Sequence, residues 1–135
     1  MSLDDVLSDL RGMYGIYLVQ AVDPPTPTAR LTESDVTRWN KLTGGTRQSL
    51  YGELALYLAR GFHSSELTFR FCDAVANDLF GIMLSGAERD WSDLFDEVYC
   101  AFDEGEYDHR ERPDEDPIEV YTRPMIAQIV AKSSN

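Results

Sequence analysis

The sequence predicts an all-α fold, a single-domain bundle of five to six helices. Three observations predict it. Apolar residues recur at helical spacing, hydroxyl caps and Gly/Pro breaks punctuate that recurrence, and no alternating run is long enough for a sheet. With 135 residues, 43% of them hydrophobic and 11% aromatic, the chain holds enough apolar side chain for one core.

The first helix is expected from Leu3 to Val22, with Val6, Leu10, Met13, Tyr14 and Tyr17 among its apolar positions. Gly12 and Gly15 weaken it, each by up to about 1 kcal/mol relative to Ala. Asp23-Pro24-Pro25 stops it, and residues 24–30 read as a linker within the domain. Thr32 or Ser34 caps a short second helix carrying Val36, Trp39 and Leu42. Gly44-Gly45 breaks the chain again. Thr46 caps a third helix bearing Leu50, Tyr51, Leu54, Tyr57 and Leu58, with Gly61 as its expected stop.

Ser64 or Ser65 starts the fourth helix, about Glu66 to Leu84. Its apolar arc, which includes Phe69, Phe71, Cys72, Val75, Leu79 and Phe80, covers about half the circumference at about 100° per residue. That width places the helix centrally. The fifth helix, about Glu88 to Phe102, sets Trp91, Leu94, Phe95, Val98, Tyr99 and Phe102 against an acidic face, and Trp91 and Tyr99 are assigned to the core. An acidic loop spans about 103–117. Residues 117–122 read as a helical turn or a short extended piece. Pro124 suits the first turn of a last helix lined by Met125, Ile126, Ile129 and Val130, and 132–135 read as a frayed tail.

The charge is uneven. The chain carries 24 acidic and 12 basic residues, a net −12. Residues 1–87 hold net −3, residues 88–119 net −11 and residues 120–135 net +2. Such a surface repels phosphate backbones and anionic membranes, so neither nucleic acid nor membrane is expected as a partner. No apolar run approaches the roughly 20 residues of a membrane helix, and the acidic start Ser2-Leu3-Asp4-Asp5 lacks a signal peptide's basic region. A cytoplasmic protein is expected. Cys72 and Cys100 then read as reduced thiols within apolar helical patterns.

The motifs of hydrolases, nucleotide binders and zinc proteases are absent from the sequence, so an enzyme is not expected. Cys72 and Cys100 with His63 and His109 are the sole source of a thiol–imidazole pair, and they read as buried thiol and solvated imidazole. The run from Asp103 lacks the sixth-position glycine of an EF-hand, since Asp108 stands there. The single Glu106…His109 pair has no second copy, and neither a metal nor a cofactor is expected. Gly44-Gly45-Thr46-Arg47 has the makings of an anion cradle, but reads first as a helix break with a hydroxyl cap. Asp73, Asp78, Glu53 and Glu66 are the carboxylates from which an enzyme would have to be built.

Two surfaces stand out as candidates. Asp103, Glu104, Glu106, Tyr107, Asp108, Asp114, Glu115 and Asp116 put an aromatic among carboxylates and suit docking of a basic protein partner, as in an inhibitor or immunity-type protein. Glu66, Arg70, Asp73 and Asn77 form a polar stripe at i,i+3 and i,i+4 spacing, a ligand site if neighbouring helices cover it. The competing expectation is a helical homo-oligomer with a structural or regulatory role, since the broad arc of the fourth helix could need a second subunit to bury it.

Overall fold

A computed structural model of the chain describes residues 3–19, 31–86, 90–106 and 116–133. Among those residues it has seven α-helices and no strand. The helices are α1 (Leu3–Tyr14), α2 (Ile16–Val19), α3 (Glu33–Thr43), α4 (Arg47–His63), α5 (Phe69–Leu84), α6 (Asp93–Asp103) and α7 (Arg123–Ser133), with a π-helical segment over Ile118–Thr122 leading into α7. The expected all-α bundle is what forms.

The first helix is interrupted. Gly15 separates α1 from α2, and Leu18 N–H bonds back to its carbonyl at 3.0 Å. The 24–30 linker lies outside the described residues. Thr32 is the cap of α3, in a reciprocal capping box with Asp35. Gly44, at φ 78°, ends α3 in the left-handed region that favours glycine.

Thr46 caps α4 through its bond from Ser49 N–H. Beyond Leu50, the exposed positions of α4 are Glu53, Arg60 and His63. It packs against α3, α5, α6 and α7. Helix α5 is covered almost as fully, leaving Gly81 and Leu84 exposed. Its partners α1, α2, α4 and α6 belong to the same chain, and they cover most of its apolar arc, Phe69 and Phe80 staying half-buried.

Three boundaries differ from expectation. Gly61 is not the stop of α4. It lies inside the helix, where the missing Cβ makes room for the Leu67 side chain. The turn forms two residues past the helix, at Ser65 with φ 67°. Glu66 N–H bonds Gly61 O at 2.9 Å and Ser65 N–H bonds Phe62 O at 3.1 Å, the two bonds of a Schellman ending. That ending occupies Ser64 to Leu67, so Thr68, not Ser64 or Ser65, caps α5. Its hydroxyl accepts from Phe71 N–H at 3.1 Å and donates to Tyr17 O at 2.7 Å. Likewise α6 begins late, at Asp93, because the Ser92 hydroxyl caps Phe95 N–H.

At the C-terminal end, residues 117–122 are helical rather than extended. Proline has no N–H and its ring crowds the carbonyl four residues back, so the turn before Pro124 widens. Arg123 N–H reaches Ile118 O, five residues back. Lys132 and Ser133 belong to α7, not to a frayed tail. The Ser133 hydroxyl bonds Val130 O at 2.9 Å and accepts from Arg60 at 3.4 Å.

A left-handed serine is strained by its Cβ. Ser65→Gly is expected to stabilise the protein by about 1 kcal/mol, raising Tm by about 3 °C in a thermal melt. An unchanged or lower Tm would show that Ser65 carries no strain.

Candidate interaction surface

Helices α5 and α6 pack side by side and build the surface that carries the charge. From Asp93 to Glu106 there are six acidic residues and no Lys or Arg. Arg70 is the one basic residue on either helix. Capping sets the direction of α6, so its C-terminal turn delivers Asp103, Glu104 and Glu106 beside the middle of α5.

Part of the polar stripe and part of the acidic loop therefore meet. Asn77 Nδ2 on α5 donates to Glu106 Oε1 at 2.6 Å. Glu106 also shares hydrogen bonds with Asp73 and Asp103. Burial and the Glu106 contact push the Asp103 carboxyl above the usual aspartate range. Burial opposes ionisation of Glu106 as well, but the bonds from Asp73, Asn77 and Asp103 outweigh it and hold Glu106 below the usual glutamate range. The two carboxyls are thus driven in opposite directions, Asp103 upward and Glu106 downward.

The turn carrying Glu106 is fixed by close packing at Gly105. A Cβ there would overlap Thr122 Oγ1 and stand 2.8 Å from Phe69 Cε1. Thr122 is itself buried, and its hydroxyl donates to Ala101 O at 2.7 Å. The π-helical segment thus sets the end of α6, and with it the carboxylates.

Other expected site residues fall elsewhere. Glu66 lies in the turn before α5 rather than on it, because Thr68 starts the helix. It lines an open groove between α1 and α4 with Leu3, Leu7, Tyr57 and Glu53. Arg70 is half-buried on α5. Asp116 is exposed at the start of the last helical stretch, where its carboxylate accepts from Ile118 N–H at 3.0 Å. Tyr107, Asp108, His109, Asp114 and Glu115 lie outside the described residues.

The four carboxylates from which catalysis was considered do not converge. Asp78 accepts from the buried Tyr14 hydroxyl at 2.5 Å, Asp73 faces Glu106, and Glu53 and Glu66 line the separate groove. Among the described residues no group of three or more His, Cys, Asp or Glu is placed to hold a metal ion. No helix among them is long and apolar enough to cross a membrane.

Arg47 is not part of an anion cradle. Its guanidinium lies 2.6 Å from Glu33, 3.3 Å from Asp90 and 3.1 Å from the Thr37 hydroxyl. It is committed to joining α3, α4 and the approach to α6. Cys100 is exposed rather than buried, while Cys72 is buried and its thiol points to Leu58 O at 3.5 Å. Burial first, then neighbouring carboxylates, pushes both thiols above the usual range. Neither is an activated nucleophile.

Trp91 and Tyr99 correct the sequence reading most usefully. Both are half-buried rather than core. They flank Phe80, also half-buried, which stacks on Tyr99 with centroids 3.8 Å apart and planes 6° apart. Their helical spacing matches that of core residues, so periodicity alone could not separate them. The available signal was their place in the acidic stretch, Tyr99 on α6 and Trp91 just before its Ser92 cap. Compared with known protein families, with curated proteins and with solved structures, the chain matches none.

Two predictions follow from the carboxyl cluster. In a carbon-detected NMR titration Asp103 is expected to titrate above 3.8 and Glu106 below 4.5. The folded state's gain from a raised carboxyl is present at low pH and lost as pH rises through the Asp103 midpoint. The gain from a lowered one is present at higher pH and lost as pH falls through the Glu106 midpoint. The cluster is therefore worth most between the two midpoints. Shifts in the opposite directions would contradict this account of the cluster. Gly105→Ala is expected to cost about 1–3 kcal/mol by overpacking and to raise the Glu106 midpoint by pulling it from Asn77. A variant with unchanged stability would show that the turn is not fixed by this contact.

Proposed function

We propose that the protein is a binding module that docks a basic protein partner through the acidic region 88–119, in the manner of an inhibitor or immunity-type protein. The observation that carries the reading is the arrangement of α6. One helix and the turn after it hold six acidic residues and no Lys or Arg, and Asp73 of α5 joins them. Asp103 and Glu106 lie close enough to act on each other, Asp103 being pushed up and Glu106 held down. A like-charge cluster is relieved by a cation, and clustered charge also speeds encounter with an oppositely charged partner. Carboxylates presented on a fixed helical face would stand where a basic enzyme holds phosphates. The reading assigns no catalytic step and needs no cofactor.

The alternative, a structural or regulatory homo-oligomer, draws less support, since most of the arc of α5 is covered by helices of the same chain.

The test is capture of partners by the tagged full-length chain at low salt, followed by a high-salt wash. The same capture is run with a variant carrying Asp103→Lys, Glu104→Lys and Glu106→Lys. The expected outcome is a stoichiometric basic protein released by salt from the native chain and missing from the variant, whose helical circular dichroism is unchanged. Equal capture by a folded variant would sink the reading.

A further inference from the structure

Trp91, Phe80 and Tyr99 form a continuous row of rings outside the core. Phe80 meets Trp91 edge to face, with centroids 6.1 Å apart at 67°, and stacks flat on Tyr99. The row packs against the core from outside and stays partly in contact with solvent. A face-to-face stack is not the favoured geometry of an aromatic pair, and three half-buried rings forgo much of the burial each could supply. Leu84, 60% exposed, stands one turn beyond Phe80 on α5 and extends the apolar end.

The other end of the row is charged. Among the described residues no ring contact continues past Tyr99. Asp103 is one turn further along α6, about 6 Å by helical rise. Asn77 is one turn from Phe80 on α5 and holds Glu106. Partly exposed rings and carboxylates thus occupy adjacent positions on α5 and α6. The charge of Asp103, Glu106 and Asp73 reaches the Tyr99 phenol, which burial and then these acids push above its ordinary range.

We propose that this row and the carboxylates at its end receive arginine side chains of the basic partner in preference to lysine. The inference rests on the docking reading above and adds the chemistry by which the partner is recognised. A guanidinium is flat and weakly hydrated, so it lies on a ring while donating in its plane to carboxylates. An ammonium is compact and strongly hydrated. It pairs with the carboxylates but gains less from the ring. A surface of carboxylates alone would not separate the two cations, and a surface of rings alone would not select a cation.

Two synthetic peptides of equal length and charge provide the test, one with arginines and one with lysines at the same positions. Each is titrated into the full-length protein at low salt, with calorimetry and proton NMR of the peptide. The arginine peptide is expected to bind about fivefold tighter. Its side-chain methylene protons are expected to shift upfield from ring current. The preference is expected to vanish in Tyr99→Leu and to persist in Tyr99→Phe. Equal affinities without ring-current shifts, both abolished by Asp103→Asn with Glu106→Gln, would overturn the arginine inference and leave the docking reading standing. Failure of both peptides to bind would overturn both. A preference that survives in Tyr99→Leu would remove the ring from the account, and the ring-current shift decides the matter on the native chain if that variant does not fold.

Discussion

The structure depends on the burial of α4. Leu50, Tyr51, Leu54, Ala55, Leu58, Ala59, Gly61 and Phe62 are all buried on this one helix, and four other helices lean on it. Deleting one such leucine would cost about 2–5 kcal/mol, a large share of a total stability of about 5–15 kcal/mol. A helix covered this fully must have both ends fixed, because a slip of one residue would misplace every neighbour. The Thr46 cap and the Arg47 contacts with Glu33 and Asp90 fix the start. The close approach of Leu67 to Gly61 and the left-handed Ser65 fix the end.

The surface chemistry is a consequence of that frame. With α4 fixed, α5 and α6 are set against it and against each other. The aromatic contacts Tyr51–Phe95 and Phe62–Phe102 tie both ends of α6 to α4. Phe102 is buried one residue before Asp103, so the packing that holds the ring also aims the carboxylate. Gly105 closes the turn against Thr122 and Phe69. The acids of α6 therefore form a surface with a fixed layout, which a flexible acidic tail would not supply.

Helix class, the caps Thr32 and Thr46 and much of the core were legible in the sequence because they follow from local rules. Thr46 and the Gly44 break needed only a cap preference and a glycine. What could not be read depends on contacts distant in the chain. Gly61 looked like a stop because glycine after an apolar run usually is one; its real constraint is the side chain of Leu67. Ser65 could not be foreseen as left-handed, since nothing local demands it. The meeting of Asn77 with Glu106 spans 29 positions and depends on how α6 lies on α5. Asp73 and Asn77 were singled out as a stripe and Asp103 and Glu106 as a loop, but only the packing makes them one cluster.

The location of the paired charges bears on which face is for binding. Arg38 is engaged with Asp9 and Asp35, Arg47 with Glu33 and Asp90, and Arg123 with Glu119. Trp39 adds a bond from its indole to Asp9 at 2.9 Å, which with Arg38 lowers that carboxyl. These pairs join α1, α3, α4 and the C-terminal stretch, where the charges serve packing. From Asp93 to Glu106 the sequence supplies no cation, and the fold brings a further acid, Asp73, to the same place. Like charge concentrated on one face costs stability unless a cation offsets it. The half-buried rings beside it gain from being covered. The proposed arginine would relieve both features together, being flat, cationic and attached to a larger surface.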